Sequence, residues 1–265
     1  MNQEIIQSYL RKYLGGRPLF LSLIRAKEAT LFHPYAPLKS PVLDVGCGDG
    51  FFTRTVFGTL DQGLDVKESR IGESRRDGGY KEVIEYDGQA FPFENNTFAT
   101  IVSNCVLEHI FNIDEVISEM HRVLAPGGKI LVSVMARPWE DHLFGALFLG
   151  NSYRSYMRAK QVHVNMMTDD EWRRKFTSVG LRVNDSIGYL TPSQCRMVDI
   201  AHYLSIPSLI SYVLLHRWVL FPSLTWYPVR FLASFFIDTC PPEQAGAIFY
   251  ELSKEFSPIR SSGLR

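Results

Sequence analysis

With 265 residues, 46% of them hydrophobic and 21% charged, the chain has the composition of one large globular domain and not of a disordered segment. Lys plus Arg equal Asp plus Glu at 28 each, so no overall field draws the chain toward nucleic acid. Cys47, Cys105, Cys195 and Cys240 are scattered without a C-x-x-C pair, which argues against a zinc site or disulfide framework and fits a reduced, cytoplasmic setting.

The opening Met1-Asn2-Gln3-Glu4-Ile5-Ile6 has neither a basic n-region nor a long apolar run, so no signal peptide is read. Residues 1–33 read as helix, with Ile5, Ile6, Tyr9, Leu10, Tyr13 and Leu14 at helical spacing. A strand at 42–45 then runs into Gly46-Cys47-Gly48-Asp49-Gly50. Glycine supplies positive φ there and removes the Cβ that would hold a ligand away, and a helix start beyond it would offer unpaired N–H groups. The spacing departs from the dinucleotide fingerprint G-x-G-x-x-G, and no G-K-[ST] follows. Alone, the loop is compatible with a plain tight turn.

Further strands are expected at 62–66, 81–86, 98–103, 129–135 and 181–189, with a last one over Gly246–Leu252. Arg70, Arg75 and Arg76 read as a solvated helix face. Residues 112–124 carry Ile113, Val116, Ile117, Met120, Val123 and Leu124 on one helical face. Pro126-Gly127-Gly128 is expected to stop that helix and turn the chain into a strand over Lys129–Met135. Thr168 and Glu171 form a capping box that opens a helix over 168–179. Strand and helix alternate, which predicts an α/β, doubly wound, mostly parallel sheet with helices on both faces.

In such sheets ligands lie beyond the carboxyl ends of the strands. Those ends are Asp44 with the glycine loop, Asp65-Val66, Asp87-Gly88-Gln89, and Ser103-Asn104 followed by Leu107-Glu108-His109-Ile110. A single acid at a strand end is commonly a cap. Four polar ends after one glycine loop point to a ligand.

The run from Val42 to Val134 resembles the core of class I S-adenosylmethionine-dependent methyltransferases, closest to the branch acting on small molecules and lipid quinones. The resemblance lies in VLDVGCGDG, GLD, YDGQAFPFENNTFATIVSNCVLEHI and EMHRVLAPGGKILVSV, and densely covers somewhat over a third of the chain. It implies a Rossmann-like, seven-stranded sheet with an antiparallel last strand, S-adenosylmethionine as cofactor, and no metal. Gly46, Cys47, Gly48 and Gly50 would bring the backbone close to the cofactor, and Asp44 would orient the loop and meet the cofactor's amino group. Asp65, with Val66 beside it, would accept both ribose hydroxyls. Asp87 would accept from the adenine amine, with Gly88 and Gln89 giving backbone contacts, and Asn104 would place its carbonyl near the methionine amine. His109 is the candidate catalytic residue, as a base or substrate contact, against a structural role bridging the loop to the cofactor site.

Four segments are expected: a helical cap over 1–40, the S-adenosylmethionine-binding core over 41–190, an apolar helical insertion over 191–242, and the last strand and tail over 243–265. A smaller insertion, 136–165, holds Trp139, Glu140, Asp141, His142 and the apolar patch Phe144–Leu149. From Tyr203 to Ile237 the chain is overwhelmingly apolar and aromatic, yet Pro207, His216-Arg217, Pro222, Pro228 and Arg230 interrupt it. A membrane-spanning helix needs ~20 uninterrupted apolar residues. Ser205–Pro207 reads as a helix start and Phe221-Pro222 as its stop. Short helices of this kind suit a membrane interface, a cap over a greasy pocket, or a homodimer or core contact.

The expected function is methyl transfer to a small amphipathic or lipid-linked acceptor, by a cytoplasmic protein with peripheral contact to the inner face of a membrane through 203–237. A soluble metabolite or sugar as acceptor, and a non-catalytic partner protein of the same fold, stand as alternatives. Nucleic acid is not expected: there is no basic groove with stacking aromatics, and Ser103-Asn104-Cys105-Val106 stands where base-methylating relatives carry Asn/Asp-Pro-Pro-Tyr.

Overall fold

The computed structural model describes residues 2–67, 69–220 and 227–254. The helical stretch expected over 1–33 is present as two helices, α1 (Gln3–Leu14) and α2 (Leu19–Phe32). Gly15-Gly16 and Pro18 divide them: Gly16 N and Arg17 N both turn back to the Tyr13 carbonyl, at 3.0 and 2.7 Å, and Pro18 forms the N-cap of α2. The second half of α2 is buried without a break from Ala26 to Phe32, charged Lys27 and Glu28 included.

The remaining elements alternate. They are β1 (Val42–Val45), α3 (Phe51–Val56), β2 (Leu60–Val66), α4 (Ile71–Asp77), β3 (Tyr80–Tyr86), β4 (Phe98–Asn104), α5 (Ile113–Val123) and β5 (Leu124–Met135). Then come α6 (Pro138–Asp141), α7 (Ala146–Gln161), α8 (Asp169–Ser178), β6 (Leu181–Tyr189), α9 (Pro192–Leu204), α10 (Ile206–Leu215), α11 (Val229–Phe235) and β7 (Ala247–Lys254). The seven strands form one sheet in the order β3-β2-β1-β4-β5-β7-β6. β1 to β5 pair in parallel, and β7 runs antiparallel to both neighbours. This is the doubly wound, Rossmann-like α/β sheet with an antiparallel last strand. From β1 the chain fills one side with β2 and β3 and the other with β4 and β5, so the ends of β1 and β4 border the crevice where such sheets bind ligands.

Thr168 and Glu171 make the reciprocal capping box at the start of α8. The helix stop at Pro126-Gly127-Gly128 is corrected: α5 ends at Val123, and β5 begins at Leu124, which pairs with Phe98. Leu124 and Phe98 are both buried, so packing draws the chain into the sheet before the proline, and Pro126-Gly127-Gly128 becomes an irregularity where the register shifts between Phe98 and Thr100.

Hydrophobic residues cover both faces of the sheet. One core joins α1, α2 and α9 to Phe249 of β7, and the other packs α5 and α8 against Ile101, Ile130 and Tyr250. Within the apolar segment, α9 packs on α2 and buries Cys195, Val198, Asp199 and Ala201. α10 buries none of its residues. It ends at Leu215, where His216 turns left-handed at φ 54° and donates its N–H to the Tyr212 carbonyl. The expected stop at Phe221-Pro222 lies outside the described residues, as does Trp226. Among the described residues no single helix is long and apolar enough to cross a membrane; α9 and α10 form a pair bent by 47°.

Candidate active site

The turn after β1 is tied to the neighbouring strand by its backbone. Gly46 N and Cys47 N donate to the Leu64 carbonyl at 2.8 and 3.2 Å. Gly46 adopts φ +77°, and a Cβ there would lie 2.4 Å from Val106 Cγ2, so only glycine lets the loop pass this close to the chain just beyond β4. Gly48, at φ +52°, would place a Cβ in open space, which leaves its backbone bare for a ligand. The helix start behind the loop is less generous than expected. α3 has six residues, and the N–H of Phe51 is taken by Asp49 Oδ1 at 2.9 Å.

Asp65 closes β2 and reaches across to the loop, its Oδ2 accepting from Gly48 N at 2.7 Å and its Oδ1 from Val66 N at 2.8 Å. A carboxylate has about four lone-pair sites, so two remain open. Burial pushes the Asp65 carboxyl above its ordinary range. Asp44 is buried beneath the loop, where its Oδ2 accepts from Thr53 Oγ1 and Tyr80 Oη, both at 2.5 Å. Burial raises its carboxyl to about 6.

Asp44, Gly46, Cys47, Gly48 and Asn104 meet around a cavity of about 300 Å³. Its outer wall comes from Tyr13, Arg17, Leu21 and Arg25 of the N-terminal helices and from Trp218. Arg17 and Arg70 converge on Asp49 of the loop at 2.5 and 2.9 Å. Tyr13 Oη and Trp218 Nε1, both from this wall, are buried without a partner among the described residues. Bare glycine backbone, the guanidinium groups of Arg17, Arg25 and Arg70 and unpartnered polar atoms fit a zwitterionic nucleoside such as S-adenosylmethionine, with Asp65 holding the loop from behind the wall. Gly50 sits behind the loop at the α3 N-cap, and Val66 follows Asp65 at the strand end. Neither Asp65 and Val66 nor Asp87, Gly88 and Gln89 belong to this cavity wall. The last three follow β3, where Tyr86 pairs with Val66; the exposed Asp87 accepts from Gln89 N at 3.0 Å, and Gly88 O accepts from Asn112 Nδ2 at 2.9 Å.

A second cavity, of about 210 Å³, shares Leu21 and Arg25 with the first. Phe20, Ile24, Met135, Trp139, Met157 and Val198 make its wall mainly apolar. The same wall includes Cys105, Glu108, His109, His163 and His202. Glu108 is fully buried: its Oε1 accepts from Met135 N at 3.1 Å, while Oε2 has no partner among the described residues. His163 Nδ1 and His202 Nδ1 are likewise unpartnered. Burial lowers His163 to about 4 and lowers His202 as well, so these rings favour the neutral form. His109, the residue singled out in the sequence, is exposed; its Nδ1 meets the Val162 carbonyl at 3.0 Å and its ring lies 5.2 Å from that of His163.

Between the cavities lies a buried polar network that sequence reading missed. Glu28, with no exposure, accepts from Arg25 at 2.5 Å, Asn104 Nδ2 at 2.9 Å, Cys105 Sγ at 3.0 Å and Tyr189 Oη at 3.1 Å. Ser133 Oγ donates to Asn104 Oδ1 at 2.6 Å, which anchors the end of β4 from the other side. Cys105 takes φ 51°, uncommon for a non-glycine residue, and this turn carries the chain from the glycine-loop cavity to the second one. The available signal was a cluster of charges, Arg25, Lys27 and Glu28, inside an otherwise apolar helical stretch.

Residues 43–132 match a family model described as a methyltransferase domain. Over 184 residues the chain is 23% identical to a ubiquinone biosynthesis O-methyltransferase of Rhizobium leguminosarum bv. trifolii, covering 64% of this chain and 72% of that one. It is 35% identical over 98 residues to the sterol 4-C-methyltransferase strm-1 of Caenorhabditis elegans, spanning 34% of this chain and only 29% of the relative. A solved SAM-dependent methyltransferase from Thermotoga maritima superposes with a TM-score of 0.56 at 15% identity, covering 95% of this chain and 99% of that one, a likeness of fold. Residues 43–132 thus carry a methyltransferase domain, and the glycine loop and strand order around it are those of the class I S-adenosylmethionine-dependent enzymes, with S-adenosylmethionine as the methyl donor.

Proposed function

We propose that the chain methylates a small amphipathic acceptor held in the apolar-walled cavity that adjoins the cofactor cavity at Leu21 and Arg25. The shared wall is the observation that carries this reading, because direct transfer needs donor and acceptor in neighbouring compartments with water excluded. Bound to the loop, the donor supplies a methyl group on a sulfonium that is already electrophilic. The protein's task is therefore placement. Gly46, Cys47, Gly48 and Gly50 let the backbone approach, Asp44 and Asp65 hold the loop, and Asp65 keeps lone pairs for ribose hydroxyls. Arg17 and Arg70 supply positive charge for the donor's carboxylate, and Asn104 faces its amine. Asp87, Gly88 and Gln89 complete the adenine end in this reading, and His109 serves as a rim contact to the acceptor.

The apolar segment supports an acceptor with a greasy body. Leu209, Ile210, Val213, Leu214 and Leu215 of α10 are all exposed, at 48% to 71%. No Asp or Glu occurs from Ile200 to Ile237, whereas Arg217 and Arg230 do. An apolar helix flanked by cations complements the surface of an anionic bilayer. The protein on this reading works at the inner face of a membrane, in a compartment that suits its free cysteines.

The test is methyl transfer from labelled donor into a membrane lipid extract and into a soluble metabolite pool, after calorimetry has established donor binding. Label in the organic phase is expected. Label confined to the aqueous phase assigns a soluble acceptor, and donor binding that survives Asp65→Ala removes the proposed ribose contact.

A further inference from the structure

We propose that Glu108 is the proton acceptor of this reaction, and that the second cavity therefore takes an acceptor whose methylated atom is a hydroxyl oxygen on an apolar body. This rests on the methyl-transfer reading and adds the acceptor atom and the residue that activates it.

Glu108 belongs to the wall of the second cavity and has no solvent exposure. Its backbone is pinned, because its carbonyl accepts from Val164 N at 2.8 Å and Asn165 N at 2.9 Å. Its side chain is pinned through one oxygen, Oε1, by Met135 N. The other oxygen is buried with nothing to accept from. A buried acceptor without a donor is costly to keep, by about 1–3 kcal/mol, and native proteins carry few such groups. A ligand hydroxyl in this cavity supplies the missing donor.

The charges select the kind of acceptor. A carboxylate would sit against the Glu108 carboxylate, and an ammonium would share the cavity with Arg25 and face the cationic donor next door. A neutral O–H meets neither penalty. As transfer proceeds, the acceptor oxygen bonds to the methyl carbon while the carbon–sulfur bond breaks and leaves its electron pair on sulfur. The hydroxyl proton passes to Glu108 Oε2. A sulfonium and a carboxylate become a neutral thioether and a neutral carboxylic acid, a cancellation of charge that a low-dielectric pocket favours. After the products leave, the proton is lost to water. Burial raises the Glu108 carboxyl above its ordinary range, which brings its basicity closer to the working pH. The titratable groups around it are Arg25 and Glu28 of α2, Cys105 and His109 of its own turn, His163, Tyr189 of β6, and Asp199 and His202 of α9.

The test uses para-butylphenol and para-butylanisole, which differ in the O–H alone, titrated calorimetrically into the protein with S-adenosylhomocysteine present. The phenol is expected to bind at least about tenfold more tightly than the ether, and the gap to close in Glu108→Leu and on acidification of the wild type, as Glu108 takes up a proton. In turnover with labelled donor, para-butylphenol is expected to be methylated in preference to para-butylaniline and para-butylbenzoate. Glu108→Gln should lower kcat about 100-fold or more with little change in donor affinity. Equal binding of phenol and ether, preferred turnover of the aniline or benzoate, or wild-type kcat in a folded Glu108→Gln overturns the proposal. If a variant fails to fold, the pH dependence of the gap in the wild type decides. A wild type that binds no S-adenosylmethionine overturns the methyl-transfer reading instead, and the phenol–ether gap still decides where Glu108 acts.

Discussion

Trp218 lies flat on Tyr212, with ring centroids 4.1 Å apart and planes 8° from parallel. Trp218 also lines the cofactor cavity, and the Arg70 guanidinium stands 5.8 Å from the Tyr212 ring while pairing with Asp49 of the glycine loop at 2.9 Å. The last turn of α10 is thereby joined to the glycine-loop cavity, the proposed donor site. An aromatic pair of this kind is worth about 0.5–1.5 kcal/mol beyond its buried area, so Trp218→Ala should weaken S-adenosylmethionine binding roughly two- to tenfold. Calorimetric affinity checks it; an unchanged Kd would mean that the stack does not cap the donor.

The glycine loop separates fold from binding. Gly46→Ala drives a Cβ to 2.4 Å from Val106 Cγ2 at φ +77°, a clash inside the sheet end. Overpacking and a left-handed side chain together cost roughly 2–5 kcal/mol. Gly48→Ala meets nothing within 4 Å, so it should cost only about 1–2 kcal/mol of stability, yet put a methyl group where the donor is proposed to lie and weaken its binding at least about tenfold. Denaturant midpoints and donor titrations of the two variants should therefore rank in opposite ways.

Much of this was readable in the chain. Strand positions followed from short aliphatic runs bounded by glycine, and the acids at Asp44 and Asp65 from their places at strand ends, because a parallel sheet imposes a regular rhythm of local signals. The break between α1 and α2 has a local signal in Gly15-Gly16 and Pro18, whereas the early start of β5 has none, since tertiary burial of Leu124 overrode the turn signal at Pro126-Gly127-Gly128. The second cavity was the least legible part. Whether Glu108 or His109 faces inward depends on one turn of 3-10 helix, Leu107–His109, and on the chain at Val164 and Asn165 that holds it. Neither leaves a periodic trace in sequence.

Asp44 predicts a pH dependence of stability. Its carboxyl moves from an ordinary 3.8 to about 6 in the fold, because burial penalises the charge more than Thr53 and Tyr80 relieve it. The native state therefore holds this proton more tightly than the unfolded chain. Stability from this group is fully present below about 4 and is lost as pH rises through about 6, a change on the order of 3 kcal/mol. Asp44→Asn keeps an oxygen for both hydroxyl donors and removes the titration. The stability of the variant relative to wild type should rise by up to that amount between pH 4 and pH 7. Parallel profiles in denaturant midpoint would show that Asp44 does not titrate in this window.

Glu28 holds four donors in a place with no solvent, among them the Arg25 guanidinium. Glu28→Ala leaves that cation without its counter-charge, and breaking a buried pair from one side costs about 3–5 kcal/mol. For a chain of this size Tm should fall by roughly 10 °C. Donor affinity should fall too, since Asn104 loses the partner that sets its position at the cavity wall. Thermal unfolding with and without S-adenosylmethionine measures both; a Tm within a degree or two of wild type would deny the network its structural role.

The exposed face of α10 gives the last prediction. Ile210 and Leu214, one turn apart, are 54% and 71% exposed, and neither lines the donor cavity. If this helix lies in a bilayer surface, each side chain contributes about 1.5–3 kcal/mol by leaving water. The double variant Ile210→Glu, Leu214→Glu should then lose at least about tenfold in binding to phosphatidylglycerol-containing vesicles, with donor affinity unchanged. Wild-type binding should also weaken with added salt, since Arg217 and Arg230 meet the lipid charge through a screened interaction. Flotation across a salt series reads both effects. No flotation of the wild type, together with a dimer that the double variant turns into a monomer in sedimentation, would assign the face to a second copy of the chain and remove the membrane from the proposal.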